Sequence, residues 1–204
     1  MNAPPCFSGR RPRLFEQRHH HVPPGTGTLG MVLFLIALGM LFGASLLGYL
    51  IIRLRLTATI HLPSGLWAST ALMLTSSYTI HRALQNVRHE RQTPFRKALV
   101  VTLLLAVGFL LVQTPSLAAL LREHGRQLAG GQGVYLHALV FFLILLHAAH
   151  LLGGLIPLAV VSHQAHAGRY DHEHHAPVWL LALYWHFLDG VWVTMFLAFR
   201  LTAS

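Results

Sequence analysis

The 204 residues of this chain carry too little charge for a soluble domain, because 54% of them are hydrophobic and only 10% are charged. The mean hydropathy of +0.54 indicates an integral membrane protein instead. The formal net charge is +9, but the basic residues flank apolar runs and do not line one face, which argues against a nucleic-acid partner.

Five apolar runs predict membrane-spanning helices, since a helix needs about 20 residues to cross about 30 Å of hydrocarbon. In chain order the predicted spans cover residues 29–52, 62–83, 98–121, 133–161 and 177–199. The second run is the most polar of the five. The sequence therefore predicts an all-α fold, a polytopic membrane bundle of five transmembrane helices.

The domain organisation and the orientation follow from what lies outside the spans. The five helices form one domain of residues 28–204, and residues 1–27 form a basic, histidine-rich tail that we expect to be disordered. With a cytoplasmic N-terminus, the inner segments hold ten Lys and Arg residues and the outer segments hold five. Positive charge favours the cytoplasmic side, which predicts a cytoplasmic N-terminus and a periplasmic C-terminus.

Small residues mark two of the predicted spans as helix-packing surfaces. Gly39 and Gly43 in the first span have the GxxxG spacing, and Gly153 and Gly154 are adjacent in the fourth. Such residues let helix backbones approach closely. The first helix is therefore expected to pack tightly against another.

Two histidines, His147 and His150, lie three residues apart in the fourth span and hence on one face of a helix. They could ligate a metal or a haem iron, but such sites usually need further ligands that converge on the same point. The favoured interpretation is that neutral imidazoles form hydrogen bonds between packed helices or contact a lipid phosphate.

The fifth span contains a carboxylate, Asp189, near its middle, and His186 lies three residues before it. A carboxylate at the bilayer centre costs about 2.5 to 3.5 kcal/mol on insertion scales, so it normally has a partner or a role. We expect Asp189 to pair with His186 or with a histidine of the fourth span, in a structural cluster in preference to a proton relay. Trp185 and Trp192 lie on a nearby strip. Tyr184 and Trp185 are either interfacial anchors or set the orientation of His186.

A histidine-rich stretch joins the last two spans, and more histidines lie in the tail. The stretch contains His163, His166, His172, His174 and His175, and the tail contains His19, His20 and His21. Such clusters can bind zinc or copper, or they can form solvated loops at the lipid surface. Without a fixed ligand spacing, the solvated loop is favoured.

The last two spans resemble a known family. The run Leu146–Leu155 has His-x-x-His followed by two glycines, and the run Tyr184–Trp192 reads Tyr-Trp-His-Phe-Leu-Asp-Gly-Val-Trp. Both are similar to motifs of the third subunit of haem-copper oxidases, in its short five-helix bacterial form. The similarity extends to residues 29–35 in the first span and to Gly108, Phe109 and Gln113 in the third.

The chain departs from this family at several acidic positions. Leu38 and Ser116 stand where many members have a buried glutamate, and Trp179 stands where an acidic residue often precedes the Trp-His-Phe motif. Val32 replaces a tryptophan. Asp189 is left as the only carboxylate in the five predicted spans, so the resemblance does not extend to a proton-buffering role.

The resemblance implies a subunit of an oxygen-reducing, proton-pumping complex in a bacterial inner membrane, most simply a cytochrome c oxidase. Such a subunit carries no haem or copper, which belong to the catalytic partner. It packs beside subunits I and II, binds phospholipid, and supports assembly, stability and proton uptake. On this interpretation no catalytic, cofactor or metal residue is predicted here. The alternatives are a divergent homologue that accompanies a quinol oxidase or a nitric oxide reductase, and a stand-alone haem or metal protein that uses His147, His150 and His186.

Overall fold

The computed structural model describes residues 26–55, 65–127, 134–168, 170 and 176–202. These residues contain five α-helices, which confirms the predicted all-α architecture. The helices are α1 (Thr26–Arg55), α2 (Gly65–Arg88), α3 (Gln92–Gln127), α4 (Val134–His166) and α5 (Ala176–Thr202). Nearly all of the predicted tail and the segment 171–175 lie outside the described residues.

Four of the five helices are long and apolar enough to cross a membrane. They are α1, α3, α4 and α5, and α2 is not among them. Most helix ends lie beyond the predicted spans, because an apolar run marks only the part of a helix that crosses hydrocarbon. α3, for example, begins at Gln92 and α4 continues to His166, both within polar sequence.

α2 and α3 form an antiparallel pair joined by a tight turn. The amide of Arg91 donates to the carbonyl of Asn86 (2.9 Å), and the amide of Glu90 donates to that of Val87 (3.3 Å). This is the Schellman pattern, in which the residue after the helix takes a left-handed conformation, and Glu90 has φ 58°. Because the turn is so short, α3 returns directly alongside α2.

Contacts between α2 and α3 continue along most of α2. The hydroxyls of Thr79 and Thr102 share a hydrogen bond of 2.8 Å. At the far end of α2, a Cβ atom added to Gly65 would lie 2.7 Å from Oγ of Ser116. The two helices therefore lie side by side over these turns.

The helices α2, α3, α4 and α5 form a closed ring, in which each packs against the next and α5 returns to α2. α1 lies outside this ring and packs against α4 and α5. Only 11% of its most apolar stretch is buried. α1 therefore presents most of its surface to lipid or to another protein.

Hydrogen bonds fasten the C-terminal end of α1 to that of α5. The hydroxyls of Tyr49 and Thr202 are 2.5 Å apart, and Nε of Arg53 donates to the carbonyl of Thr202 at 2.7 Å. The Tyr49 ring also meets Phe199 edge to face, with 5.1 Å between centroids. Arg53 thus satisfies a carbonyl that the end of α5 would leave without a partner.

Candidate functional site

The candidate site is the buried face of α5, which presents Trp185, Asp189 and Trp192. These positions follow one another by four and three residues, so they share one side of the helix. Both tryptophans are almost fully buried, and Asp189 is 5% exposed. This face points into the ring of helices, which places Trp185, Asp189 and Trp192 at the centre of the fold.

Both indole groups donate to hydroxyls on α2. Nε1 of Trp185 is 2.7 Å from Oγ of Ser76, and Nε1 of Trp192 is 3.1 Å from Oγ1 of Thr70. The Thr70 hydroxyl in turn donates to the carbonyl of Leu66 at 2.7 Å. The polar side chains that make α2 the least apolar helix are therefore used inside the bundle.

Tyr184 connects α5 to α4. Its hydroxyl donates to the carbonyl of His150 at 2.7 Å, and its ring lies so close to Gly154 that an added Cβ there would be 2.6 Å from Cε1. The residue is 7% exposed. Tyr184 thus occupies a packed position between helices and is not an exposed interfacial anchor.

His147 is enclosed by aromatic rings from three other helices. Its ring centroid lies 6.2 Å from that of Phe42 on α1, 6.0 Å from Phe109 on α3 and 5.1 Å from Trp192 on α5. The residue is fully buried, and neither ring nitrogen has a hydrogen-bond partner among the residues that the structure describes. Of the two pairings considered for Asp189, the one with His147 is therefore not formed in this structure.

His150 lies one turn further along α4 in a different environment. Its Nδ1 lies 2.7 Å from the carbonyl of Leu146 in the same helix, which requires the tautomer with hydrogen on Nδ1. Its ring meets Phe42 edge to face, with 5.5 Å between centroids. His150 therefore supplies its carbonyl to Tyr184 but makes no side-chain hydrogen bond to α5.

Asp189 and His186 face α2. Nδ1 of His186 is 4.0 Å from Oδ2 of Asp189 and 2.8 Å from Oγ of Ser77. The Ser77 hydroxyl is also near the Asp189 carboxylate, yet among the described residues no donor is well placed to bond to either carboxylate oxygen. The contact with His186 agrees with one of the two predicted pairings, at the outer limit of an ion-pair distance.

A second histidine, His81 of α2, lies beside His186. The two ring centroids are 5.9 Å apart, and Nε2 of His81 is 3.1 Å from Nε2 of Gln85. The contacts of His81, Thr70, Ser76 and Ser77 with α5 were not predicted from the sequence. The available signal was the run of hydroxyl residues in the most polar of the predicted spans, since such side chains in a membrane helix normally face other helices.

The three histidines proposed as ligands in the stand-alone metal or haem interpretation do not come together. His147 lies in the aromatic enclosure, His150 bonds to its own helix, and His186 faces α2. Within the described residues no three His, Cys, Asp or Glu side chains are placed to hold a metal ion. His163 and His166 are exposed at the end of α4, and the other histidines of the connection lie outside the described residues.

The four glycines predicted for helix packing have different surroundings. A Cβ atom at Gly154 would meet Tyr184 and Trp185, and one at Gly39 would meet the Phe187 ring at 3.7 Å. At Gly43 and Gly153 it would meet nothing within 4 Å. Gly154 thus lies at a close contact inside the fold, and of the GxxxG pair Gly39 contacts α5 through Phe187, whereas Gly43 is open among the described residues.

Leu38, at the position of the missing family glutamate, is 4% exposed and belongs to the hydrophobic core. Gln113 on α3 is 1% exposed, and neither polar atom of its amide has a partner in the part of the chain that the structure describes. Buried polar groups are usually hydrogen-bonded, so Gln113 resembles His147 and Asp189 in this respect.

The chain is similar to known proteins over most of its length. The family model for cytochrome c oxidase subunit III matches residues 15–203. The cytochrome c oxidase subunit 3 of Synechocystis is 27% identical over 193 residues, covering 89% of this chain and 78% of that protein. A probable quinol oxidase subunit 3 of Staphylococcus saprophyticus is 28% identical over 191 residues, covering 90% of this chain and 91% of that protein.

Another cytochrome c oxidase subunit 3, from Thermostichus vulcanus, is 24% identical over 188 residues, which cover 87% of this chain and 88% of that protein. The resemblance inferred from the two motifs in the fourth and fifth spans is therefore confirmed over nearly the whole chain. Together with four helices that are able to cross a bilayer, this match describes a multi-pass membrane protein that belongs to the cytochrome c oxidase subunit III family.

Proposed function

We propose that this chain is the non-catalytic third subunit of a bacterial respiratory terminal oxidase that accepts electrons from cytochrome c. Haem and copper belong to the catalytic subunit I, and this chain packs beside subunits I and II in the inner membrane. The observation that carries the proposal is the family match over residues 15–203. The buried side of α5 supports a structural role, because the donors Tyr184, Trp185 and Trp192 are used in contacts between helices.

The proposed role is to assemble and stabilise the complex and to support proton uptake by the catalytic subunit. The hydrogen bonds from α5 to α2 and α4 give the bundle a fixed shape, and a fixed shape is what a subunit needs to present one surface to its partners. Asp189 is the only carboxylate of α5, so support of proton uptake is expected through contact with the catalytic subunit and not through a chain of carboxylates within this one.

Phospholipid binding is part of the same proposal. A groove of about 320 Å³ lies between α1 and α4, and its lining includes Met31, Phe34, His150, Gly153 and Tyr184. An apolar lining beside a single histidine suits an acyl chain. Lipid analysis of the purified complex tests this part of the proposal, and Gly153→Leu is the variant that fills the groove. If the variant complex retains the same lipids as the original complex, binding of lipid in this groove is contradicted.

The proposed topology has five spans, with the N-terminus in the cytoplasm. α2 is too polar to qualify by composition, but α2 lies alongside α3 from the turn at Glu90 to the contact between Gly65 and Ser116. Its hydroxyls bond to Trp185 and Trp192 of α5. These contacts support a location of α2 at the same membrane depth as α3 and α5.

Labelling of single cysteines with a membrane-impermeant thiol reagent tests this topology. The native Cys6 is replaced by serine, and cysteine is placed at Leu54, at the exposed end of α1, or at Glu90, in the turn after α2. If α2 crosses the membrane, only Leu54→Cys is labelled from the periplasmic side and only Glu90→Cys from the cytoplasmic side. Labelling of both from one side would show that α2 does not cross.

Purification of the tagged chain from mild detergent tests the proposed function. The expected result is a complex whose spectrum shows haem and whose metal analysis shows copper, with both centres absent from this chain alone. A complex without those centres would refute the proposal. A quinol oxidase is the second candidate because several relatives are described as probable quinol oxidase subunits, and turnover with reduced cytochrome c and with quinol separates the two.

A further inference from the structure

A strip of α5 that faces away from the ring centre lies exposed between α1 and α2. The strip consists of His186, Gly190 and Thr194, which follow one another by four residues and so share one side of the helix. α1 and α2 each pack against α5 but not against each other. The strip is therefore the floor of a groove, with α1 as one wall and α2 as the other.

Small residues keep the α1 side of this groove open. Its volume is about 360 Å³, and its lining includes Gly39, Gly43, Gly190 and Thr194. A Cβ atom added at Gly43 or Gly190 would meet nothing within 4 Å. Because small residues allow a helix backbone to approach closely in a membrane, the groove has the form of a seat for another helix.

The α2 side of the groove is polar at a depth where lipid offers no polar partner. His186 lies ten residues after the start of α5, or about 15 Å along its axis, near the middle of about 30 Å of hydrocarbon. Its side chain is nonetheless 40% exposed. Nδ1 is close to Ser77, which leaves Nε2 available, and the exposed ring of His81 lies 5.9 Å away.

A second polar group lies directly behind this one. The Asp189 side chain is 7% exposed and 4.0 Å from His186; the Ser77 hydroxyl is near it, but in the part of the chain that the structure describes neither carboxylate oxygen accepts a hydrogen bond of good geometry. Polar side chains within a bilayer almost always face a protein interior or a partner. An acyl chain could fill the glycine-lined part of the groove but could not satisfy His186, so a protein is the better occupant.

We propose that this groove binds a transmembrane helix from another subunit of the same complex. That helix would place small residues against Gly43 and Gly190 and a hydrogen-bonding side chain opposite His186. This inference rests on the proposed function, since it requires a multi-subunit complex. It adds which surface of the chain makes the contact and what chemistry the partner helix presents there.

A matched pair of substitutions tests the inference in the full complex. Gly190→Leu fills the groove, whereas Gly30→Leu adds the same bulk on α1, at an exposed glycine that also has nothing within 4 Å of an added Cβ and that lines neither groove. We expect Gly190→Leu to lower the recovery of this chain with the haem-containing subunit by about tenfold or more, which is one decade in an association constant. Gly30→Leu should leave the recovery of protein unchanged. Equal recovery of both variants would overturn the inference.

Photo-crosslinking keeps the inference testable even if Gly190→Leu does not fold. A photoreactive benzophenone amino acid replaces Leu47, which is exposed on α1 four residues after the groove-lining Gly43 and so lies at the rim of the groove, or Leu104, which is exposed on α3. Irradiation should join the Leu47 probe, but not the Leu104 probe, to another subunit. A Leu47 probe that reacts only with lipid, in a complex that still contains haem and copper, would overturn the groove assignment and leave the proposed function intact. Absence of any haem-containing partner would instead refute the proposed function.

Discussion

Replacement of Gly154 by alanine is expected to loosen the junction of α4 and α5. The added Cβ would lie 2.6 Å from Cε1 of Tyr184 and 3.5 Å from Cζ3 of Trp185. Tyr184 cannot move away freely, because its hydroxyl is bonded to the His150 carbonyl at 2.7 Å. Its ring also lies 6.1 Å from that of Phe34. Relief of the clash must therefore disturb both packing and a hydrogen bond.

The magnitude follows from three terms. Overpacking of a tight site costs about 1 to 3 kcal/mol, and a weakened hydrogen bond costs about 0.5 to 1.5 kcal/mol. Alanine is better than glycine inside a helix by about 0.5 to 1 kcal/mol, which offsets part of the loss. We expect Gly154→Ala to lower the free energy of unfolding by about 1 to 3 kcal/mol.

The assay is reversible unfolding in mixed micelles, followed by far-ultraviolet circular dichroism. Gly153→Ala is the matched control, because the neighbouring glycine has nothing within 4 Å of an added Cβ. This control should be neutral or slightly stabilised. Equal destabilisation of the two variants would refute the reasoning, since it would show that the loss comes from helix-wide effects and not from the contact with Tyr184.

Three further substitutions test other contacts of the bundle. Ser76→Ala leaves the buried Trp185 indole without its acceptor and should lower the unfolding free energy by about 1 to 3 kcal/mol. If the losses from Ser76→Ala and Trp185→Phe simply add in the double variant, that result would contradict a direct bond between the two side chains. Tyr49→Phe removes the hydrogen bond to Thr202 and should cost about 0.5 to 1.5 kcal/mol; an unchanged unfolding curve would count against that bond. Asp189→Leu removes a buried carboxylate that accepts no hydrogen bond from the described residues, so the lone chain should not lose stability. The amount of this chain recovered with the complex should nevertheless fall, while turnover per intact complex is retained. Full assembly with abolished turnover would instead give Asp189 a catalytic role.

The number and type of elements could be predicted from the sequence because each helix contains a run of mostly apolar residues of about the length that crosses a bilayer. Apolar runs of the required length placed five helices, including α2, whose serines and threonines make it too polar to qualify by composition. Helix ends could not be predicted as well. α2 continues to Arg88 and α3 begins at Gln92, where backbone hydrogen bonds extend the helices into polar sequence that no hydrophobic signal marks.

The partners of the candidate site residues could not be predicted from the sequence. Tyr184, Trp185, Trp192 and Asp189 lie on buried parts of α5. Their partners depend on the rotation of each helix about its axis, which packing sets and a single sequence does not reveal. The indoles bond to α2, while His147 on α4 is surrounded by aromatic rings.

The position of Asp189 links the energetics of the fold to assembly. A buried carboxylate without hydrogen bonds is a cost that the lone chain bears, and the described residues leave both of its oxygens without a partner. His186 connects Asp189 to the groove between α1 and α2, the surface for which we propose a partner helix. If a donor on that helix bonds to Nε2 of His186, the imidazole keeps its hydrogen on Nδ1, on the side of Ser77 and Asp189, and the cost is lower in the complex than in the free chain. The same residues would then make the free subunit less stable than the assembled one, which favours incorporation into the complex without any redox role for this chain.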